Sequence, residues 1–355
     1  MQIGDLSVRN RIWLAPLAGI TIASVRRFFV RLGVGMVHTE MISATGLVRG
    51  SRKTGNMLEA RRPTILEGYQ AFGDDRDSVP LVVQLFAGDA DTLLRAGGMI
   101  LESGARCDAF GINMACPMPK ILKRGAGARL LEHPAIAAEM TKNLKRLGAP
   151  VWGKIRLSPS GYPLSTEDFC RLLLDAGADN ICVHGRTPAQ RYEGVADSGE
   201  VERIAGLFPG YISASGDVFS PEDAERYCRA GCVGVMVARG AMRDPFMIPA
   251  AVAVLDDRSR KDVSCVDPEP DCETRRDILI RLGDETAEER GASVALVMVK
   301  RFAGGVFRGL RGAGEVRRSI ACAADWREVR GILETCAPCF EYMERGVEMY
   351  GREAE

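Results

Sequence analysis

A thiol, an amide and several cations lie close together in the stretch Cys107–Leu131. The apolar run Ala109–Ile112 predicts a buried strand, and the loop after it holds Asn113 and Cys116 and continues into basic residues. A thiol beside cations suits a proton donor next to an anionic substrate, which makes this loop a candidate active-site loop. The structural alternative is that the cysteine is only a small buried apolar residue.

The elements that must position this loop repeat in the order strand, loop, helix from residue 11 onward. Apolar runs predict strands at Ile12–Ala15, Gly35–Thr39, Leu81–Phe86, Ala109–Ile112, Val151–Ile155, Asn180–Val183, Tyr211–Ala214 and Gly234–Ala238. Helical patterns lie between most of them, at Ser24–Leu32, Asp91–Leu101, Pro134–Leu147, Thr166–Asp175 and Pro221–Arg229. We expect Pro134 and Pro221 to begin helices, Thr166 to be an N-cap, and Gly177 and Gly231 to end helices.

This alternation predicts an α/β fold, a (β/α)8 TIM barrel followed by a small all-helical C-terminal domain. An open doubly wound sheet is the competitor. However, no strand is followed by a Gly-x-Gly-x-x-Gly turn that opens a helix, so a Rossmann dinucleotide site is not indicated. Residues 51–79 form a long connection, which is either an insert that faces the substrate or a tolerated surface loop.

The composition changes near residue 256, where a polar, proline-bearing stretch predicts a linker. We expect a barrel at 1–250, a linker at 251–273 and a helical RNA-binding domain at 274–355. Helices are predicted in the last part at Arg275–Arg290, Ser293–Phe307, Gly314–Ala323 and Trp326–Cys336. Between Leu296 and Ile320 there are six cations against one acid, Glu315. Such a run is either a solvated helix face or a surface that contacts phosphates.

The whole chain has 355 residues and 47 basic against 47 acidic side chains, so any site for a polyanion must be a local patch. No secretory signal and no membrane-spanning apolar run are recognisable, and the 11 cysteines fit reduced thiols in a cytoplasmic protein. We expect no membrane association and no obligatory protein partner. We also expect no metal, although Cys265, Cys272, Cys336 and Cys339 could in principle hold one.

In a parallel barrel, functional side chains collect at the carboxyl ends of the strands. Seven of the eight predicted strand ends carry a group able to bond or titrate, and these include Gln84, Lys154 and His184. The last two predicted strands end in the short glycine-bearing turns Ser-Gly-Asp and Ala-Arg-Gly, which suit phosphate binding. Gln84 and Lys154 suit a heteroaromatic ring that becomes anionic on reduction. A flavin mononucleotide fits this set of groups, and a sugar phosphate would use the two turns equally well.

Several segments match sequence motifs of a known family and occur in the same order. They are LAPLAGIT (14–21), TEMISA (39–44), VVQLF (82–86), GINMACPMPKILKRGAGARLL (111–131), GKIRLS (153–158), VHGRTPAQRYEGVAD (183–197), SASGD (213–217) and VGVMVARGAMRDPF (233–246). With these segments the chain resembles the tRNA-dihydrouridine synthases, flavoenzymes that reduce uridine in folded RNA. The resemblance covers the barrel and continues more weakly into the helical tail.

The resemblance implies a barrel that binds FMN, is reduced by NADPH or NADH, and acts on tRNA or another structured RNA. Cys116 matches the proton donor to uracil. The residues expected to contact FMN are Pro16, Leu17, Ala18, Gln84, Lys154, His184, Ser215, Gly216, Asp217, Ala238 and Arg239. The residues expected to contact the substrate are Asn113, Lys120, Arg156 and Arg186.

The chain departs from the family pattern at Ala115, Ser215 and Ala238, where the family usually has Gly, Asn and Gly. Backbone donors remain at both phosphate turns, so FMN binding is still expected. Two alternatives stay open from the sequence. One is an FMN barrel that reduces a free small molecule such as a pyrimidine or an enone. The other is a flavin-free RNA-binding protein.

Overall fold

A computed structural model describes residues 1–58, 79–255, 267 and 269–335. The described residues divide between two compact units, Met1–Ala241 with Phe246–Pro268 and Met242–Pro245 with Glu269–Glu355. Much of the predicted 51–79 insert lies outside the described residues, and so does most of the predicted linker.

The first unit is built on parallel strands joined by helices. Its eleven described strands are β1 (Gln2–Ile3), β2 (Leu6–Ser7), β3 (Ile12–Leu14), β4 (Val37–His38), β5 (Ile42–Ser43), β6 (Leu81–Phe86), β7 (Ala109–Met114), β8 (Val151–Arg156), β9 (Asn180–His184), β10 (Ile212–Ser215) and β11 (Val235–Val237). The neighbours in the main sheet run β3-β11-β10-β9-β8-β7-β6-β4, and β5 pairs with β6.

The two ends of this sheet meet, which closes the barrel. Gly35 N donates to Ile12 O at 2.7 Å and Leu14 N donates to Met36 O at 2.9 Å, so β3 pairs with the segment that enters β4. The (β/α)8 prediction is therefore confirmed. All eight predicted strands are present, with bounds that differ by at most a few residues.

The barrel interior is apolar at its amino-terminal end. Trp13, Met36, Val82, Trp152 and Met236 form one buried cluster there. The antiparallel hairpin β1–β2, which sequence patterning missed, adds buried apolar side chains to the same cluster. The predicted site residues lie toward the other end of the barrel, where the strands finish.

Helices cover the outside of the barrel. They are α1 (Ala23–Arg31), α2 (Ala44–Val48), α3 (Arg52–Gly55), α4 (Ala90–Glu102), α5 (Pro119–Leu122), α6 (Pro134–Lys145), α7 (Thr166–Asp175), α8 (Ser198–Leu207), α9 (Pro221–Arg229), α10 (Arg239–Arg243) and α11 (Met247–Leu255). A 3-10 helix spans Gly127–Glu132.

The predicted helix signals are mostly correct. Pro134 and Pro221 occupy the first turns of α6 and α9, and Gly177 and Gly231 follow α7 and α9 with positive φ. The predicted N-cap at Thr166 is wrong. Ser165 caps α7 by accepting from Asp168 N, while Thr166 Oγ1 accepts from Ser158 N at 2.9 Å in the preceding loop.

The second unit is helical in its described residues. Its helices are α12 (Cys272–Arg290), α13 (Ala292–Val306), α14 (Ala313–Cys322) and α15 (Trp326–Thr335), close to the four that the sequence predicts. Gly283 lets the Trp326 ring lie against α12, because a Cβ there would be 2.1 Å from the ring. The helix α11 ends at Leu255 and α12 begins at Cys272, so helix enters the predicted 251–273 linker at both ends.

A buried arginine and a half-buried lysine cap the C-terminal carbonyl groups of two helices of the second unit. Arg275 donates to Val306 O at 2.9 Å and Arg308 O at 3.2 Å, at the C-terminus of α13. Lys300 donates to Ala321 O at 2.9 Å and Ala323 O at 2.7 Å, at the C-terminus of α14. Lys300, one of the six cations noted in the sequence, therefore has a structural role.

Within the described ranges, no helix is long and apolar enough to cross a bilayer. Among the same residues, no group of three or more His, Cys, Asp or Glu side chains is arranged to hold a metal ion. Cys272 lies at the start of α12, whereas Cys265, Cys336 and Cys339 lie outside the described residues.

Candidate active site

The predicted site residues of the first unit lie at or just after the carboxyl ends of the barrel strands. Pro16–Ala18 follow β3, Cys116 and Lys120 follow β7, Arg186 follows β9, and the Gly216–Asp217 and Ala238–Arg239 turns follow β10 and β11. The remaining predicted residues lie within strands, namely Gln84, Asn113, Lys154, Arg156, His184 and Ser215. Parallel strands end at the same side of a barrel, so the fold gathers these residues at one mouth.

The Cys116 loop is held by Asn113. The Asn113 Oδ1 atom accepts from the backbone nitrogens of Ala115 at 3.3 Å and Cys116 at 3.0 Å. Its Nδ2 donates to Gln84 Oε1 at 2.8 Å on the neighbouring strand. Asn113 thus fixes the start of the loop, a role that its position in the sequence did not reveal.

The carbonyl side of Cys116 is fixed by the glycine-bearing stretch that follows it. Ala128 N donates to Cys116 O at 3.0 Å. Gly127 has a positive φ, and a Cβ at this position would lie 2.6 Å from Cys116 O. Only glycine combines this backbone conformation with this close approach, so the thiol has a defined position.

Burial keeps the Cys116 thiol protonated. Only 8% of the residue is exposed, and this desolvation raises the pKa of Cys116 above the ordinary thiol value. The nearby Arg156 cation acts in the opposite direction and is the smaller effect. A protonated thiol at neutral pH is the form that donates a proton.

Arg156 contacts the loop that carries Cys116 and is almost fully buried. Its Nε donates to Ala115 O at 2.8 Å and its Nη1 donates to Thr187 O at 3.0 Å. No described residue accepts a hydrogen bond from its Nη2. Arg156 thus links the loop after β7 to the loop after β9 and still has donor hydrogens for a ligand.

Lys154 lies between two polar groups inside the barrel. Its Nζ is 3.1 Å from Ser215 Oγ and 3.6 Å from Cys182 Sγ. An ammonium group has three donor hydrogens, so it can make one more hydrogen bond beyond these two. The side chain is only half-buried, which leaves it accessible from the mouth.

His184 is neutral in this environment. Burial lowers its pKa to about 2, and the cations of Lys154, Arg156, Arg186 and Arg239 add to the effect. Arg186 Nη1 lies 3.4 Å from His184 Nε2. Because a guanidinium can only donate, Nε2 is the acceptor and Nδ1 carries the proton.

Arg186 uses its donors on protein groups. Its Nε donates to Glu193 O at 3.0 Å, and its Nη2 lies 2.6 Å from both Gly194 O and Asp217 Oδ2. The residue is 2% exposed. These contacts hold the loop after β9 against the turn after β10, while the predicted contact of Arg186 with the substrate stays a prediction.

Asp217 joins the two predicted phosphate turns. Its Oδ1 accepts from Arg239 Nη2 at 2.8 Å, and its Oδ2 also accepts from Ala196 N at 2.8 Å. Burial by itself would raise the pKa of Asp217, but the hydrogen bonds from Arg186 and Ala196 N together with the charges of Arg186 and Arg239 lower it overall. Gly216 beside it cannot carry a side chain, since a Cβ would lie 2.9 Å from His184 Cδ2.

The turn after β3 is held by a carboxylate. Gly19 N donates to Glu40 Oε1 at 2.6 Å, and Leu17 N donates to Thr21 Oγ1 at 3.0 Å. Glu40 is 7% exposed. Glu40 directly follows the predicted strand Gly35–Thr39, and its hydrogen bond to Gly19 N shapes the Pro16–Gly19 turn.

Tyr192 is a mouth residue for which sequence reasoning gave no role. Its ring lies 5.5 Å from the guanidinium carbons of both Arg156 and Arg239, and 56% of the residue is exposed. An aromatic residue in a loop bearing cations was the available signal. Lys120 is exposed on α5, and its predicted contact with the substrate stays a prediction.

The donor set fits a flavin and its phosphate. Gln84 Oε1 accepts from Asn113, so the Gln84 amide nitrogen is free to donate, and Lys154 offers a cation inside the same barrel. The turns after β10 and β11 add backbone N–H groups and the half-exposed Arg239 guanidinium. A neutral donor, a cation and an edge of backbone N–H groups are groups that a flavin with a phosphate would use.

A comparison with known proteins identifies the family. A model of the family described as Dihydrouridine synthase (Dus) matches residues 13–340. The chain belongs to the dihydrouridine synthase family. It is accordingly an enzyme of the oxidoreductase class.

Individual members of the dihydrouridine synthase family match over much of the chain. A probable tRNA-dihydrouridine synthase of Treponema pallidum is 32% identical over 260 residues, covering 70% of this chain and 72% of that protein. The tRNA-dihydrouridine synthase B of Pseudomonas putida is 32% identical over 249 residues, with coverage of 70% and 69%. A probable tRNA-dihydrouridine synthase of Rhizobium leguminosarum is 28% identical over 330 residues and covers 92% of this chain and 95% of that protein.

Proposed function

We propose that this protein reduces uridine to 5,6-dihydrouridine in tRNA, with FMN as cofactor and NADPH or NADH as reductant. The observation that carries the proposal is the buried, protonated Cys116 at the barrel mouth, on a loop fixed by Asn113 and Gly127. The relatives named as tRNA-dihydrouridine synthases support the choice of RNA.

The residues proposed to hold FMN surround one side of the mouth. Gln84 and Lys154 would bond the polar edge of the ring system, His184 would contact it, and the Pro16–Ala18 turn would line it. Ser215–Asp217 and Ala238–Arg239 would hold the phosphate through backbone N–H groups and the Arg239 guanidinium. FMN, when bound, supplies the hydride that reaches carbon 6 of the uracil ring.

Cys116 is proposed to give the proton that carbon 5 of uracil then needs. A thiol whose pKa is raised by burial holds its proton throughout the physiological range, so the donor form is the populated one. Asn113 and Ala128 fix the loop on both sides of the thiol, so that it is presented in one orientation. Arg156, which has donor hydrogens left, would bond a uracil oxygen.

His184 is the obvious competitor as proton donor, and its electrostatics argue against that role. A histidine whose pKa is lowered to about 2 is neutral at physiological pH and holds no acidic imidazolium proton. Its Nδ1–H can still donate a hydrogen bond without giving up the proton. We therefore assign His184 to orientation and Cys116 to proton transfer.

A base stacked inside folded RNA cannot reach the thiol, so the uridine must be turned out of its stack, at about a few kcal/mol. Contacts elsewhere on the RNA must offset this cost. The helical unit offers exposed cations for such contacts: Arg301, Arg308, Arg311, Arg317 and Arg318 are all exposed. We propose that these arginines bind phosphates.

The decisive experiment on the chemistry is Cys116→Ala. The variant should fold and retain flavin, and NADPH should still reduce the flavin. Dihydrouridine formation in tRNA should fall by roughly 10²–10⁴-fold, the range for loss of a general acid. Normal product formation by the alanine variant would remove Cys116 from the mechanism, and a wild-type protein that refuses FMN would remove the flavin.

A second experiment tests the RNA contact. The double variant Arg308→Glu, Arg317→Glu should weaken tRNA binding and flatten its salt dependence, with the log–log slope falling by about 0.9 for each phosphate that is no longer neutralised. The matched control is Arg95→Glu, Lys142→Glu, which makes the same charge change at exposed positions on α4 and α6. Equal affinity and equal slope in the two double variants would refute the assignment.

The same assays address the alternative of a free small molecule as substrate. That enzyme would reduce free uracil or uridine as well as it reduces tRNA, and the helical-unit variants would leave its kinetics unchanged.

A further inference from the structure

Four side chains at the barrel mouth alternate between guanidinium and ring. The central guanidinium carbons of Arg156 and Arg239 each lie 5.5 Å from the Tyr192 ring, and that of Arg239 also lies 5.6 Å from the Phe219 ring. We call these four residues the cation–aromatic row. Each neighbouring pair has cation–π geometry.

The row runs from the thiol loop toward solvent. Its inner member, Arg156, is 1% exposed and donates to Ala115 O, one residue before Cys116. Tyr192 is 56% exposed and Phe219 is 37% exposed. A large ring that remains open to water at a functional mouth is an available stacking surface.

Fixed contacts hold the backbone of Phe219 in position. Phe219 N donates to Asp223 Oδ2 at 2.9 Å, and the same carboxylate accepts from Ser220 N at the start of α9. Gly240 lies so close to this turn that a Cβ would be 2.0 Å from Val218 O. The Phe219 backbone is therefore set before any ligand binds.

We infer that the Phe219 ring, at the outer end of the cation–aromatic row, stacks a second nucleobase of the RNA, one that neighbours the reactive uridine. The inference rests on the proposed function. RNA-binding proteins stack splayed bases on aromatic rings, and Phe219 is a partly exposed ring at this mouth. The cations also suit a strand whose backbone is negatively charged.

The assignment to a neighbouring base follows from the position of Phe219. The reactive uracil must meet Cys116, which lies beside the inner end of the row, whereas Phe219 is separated from Arg156 by Tyr192 and Arg239. A strand with two adjacent unstacked nucleotides could therefore place one at the thiol and the next at Phe219. The second stack would help to offset the cost of turning the uridine out.

The test compares Phe219→Leu with Phe219→Tyr. Leucine keeps an apolar side chain without a ring, whereas tyrosine keeps the ring. With tRNA lacking dihydrouridine, the leucine variant should raise KM by about 5- to 100-fold, the range for loss of one stacked base, while kcat and flavin content stay near wild type. The tyrosine variant should behave as the wild type does. Tyr211→Leu, an exposed ring that precedes β10 at the opposite end of that strand, is the control and should change nothing.

Free uridine separates a neighbouring base from the reactive one. It has no neighbour, so its reduction should be equally efficient in the leucine and tyrosine variants. Three results would overturn the inference: a leucine variant with unchanged KM for tRNA, equal losses in the leucine and tyrosine variants, or a matching loss with free uridine. A wild-type protein that makes no dihydrouridine in tRNA would instead refute the proposed function.

Discussion

His38 should make the barrel sensitive to acid. It is 1% exposed, its Nδ1 lies 2.8 Å from Leu14 O, and burial lowers its pKa from 6.5 to about 4. Its Nε2 has no hydrogen-bond partner among the described residues, and neither has Trp152 Nε1, whose ring lies nearby at 6.2 Å. The neutral imidazole is therefore the form that the fold accommodates.

The direction of the effect follows from proton linkage. A pKa lowered on folding means that the unfolded chain binds the proton more readily. The stabilising contribution is complete above the unfolded pKa of 6.5 and is lost as the pH falls toward the folded value of about 4. For these two pKa values, the free energy of unfolding should drop by about 2 kcal/mol between pH 7 and pH 5 on account of His38 alone.

The perturbation is His38→Gln, which keeps an amide donor for Leu14 O and removes the titration. Urea unfolding at pH 7 and pH 5 can be followed by the near-ultraviolet circular dichroism of the Trp13–Trp152 pair, whose rings are 5.2 Å apart. The glutamine variant should lose about 2 kcal/mol less than the wild type over this range. His133→Gln is the control, because His133 is exposed at the start of α6. An equal pH dependence in the wild type and His38→Gln would refute the reasoning.

Three further predictions concern other buried groups. Burial raises the pKa of Cys116, so its alkylation by iodoacetamide should be slow at neutral pH, and the rate should increase only at pH values above the ordinary thiol pKa. Peptide mass spectrometry can compare this rate with that of the exposed Cys322. Asn113→Ala should destabilise the barrel by about 1–3 kcal/mol in urea unfolding, since it leaves buried N–H groups of the thiol loop without an acceptor. Arg275→Met should cost the helical unit roughly 3 kcal/mol in thermal unfolding, whereas the exposed Arg317→Met should cost little.

The barrel was predictable because its signals are local. Apolar runs such as Leu81–Phe86 and helix starts such as Pro221 act over a few residues, and the observed elements begin and end close to where these signals lie. The two-residue strands β1, β2 and β5 were missed, since two residues show no periodicity. The N-cap error at Thr166 has a different cause. Ser165 and Thr166 are adjacent hydroxyl residues with equal local signals, and Thr166 Oγ1 is used by Ser158 N, eight residues away, which no local pattern shows.

The chemical groups of the site were predictable, but their couplings were not. Parallel strands bring their carboxyl ends together, so the predicted residues were expected at one mouth. Asp217, however, pairs with Arg186 and Arg239, which are 31 and 22 residues away in the chain. No local pattern specifies such a pairing. It is the closed barrel that makes these residues neighbours.

These couplings divide the residues of the mouth into two kinds. Asn113, Glu40 and Arg186 use their polar atoms on backbone groups of the loops, and they therefore fix the shape of the mouth. Lys154 and Arg156 make some protein hydrogen bonds and retain donor hydrogens, so they can still bind a ligand. Charge alone would not separate the two kinds, because Arg186 and Arg156 are both buried arginines at the ends of neighbouring strands. Counting which donors are already used does separate them: Arg186 bonds Glu193 O, Gly194 O and Asp217, whereas Arg156 keeps donor hydrogens that the proposed contact with the substrate would use.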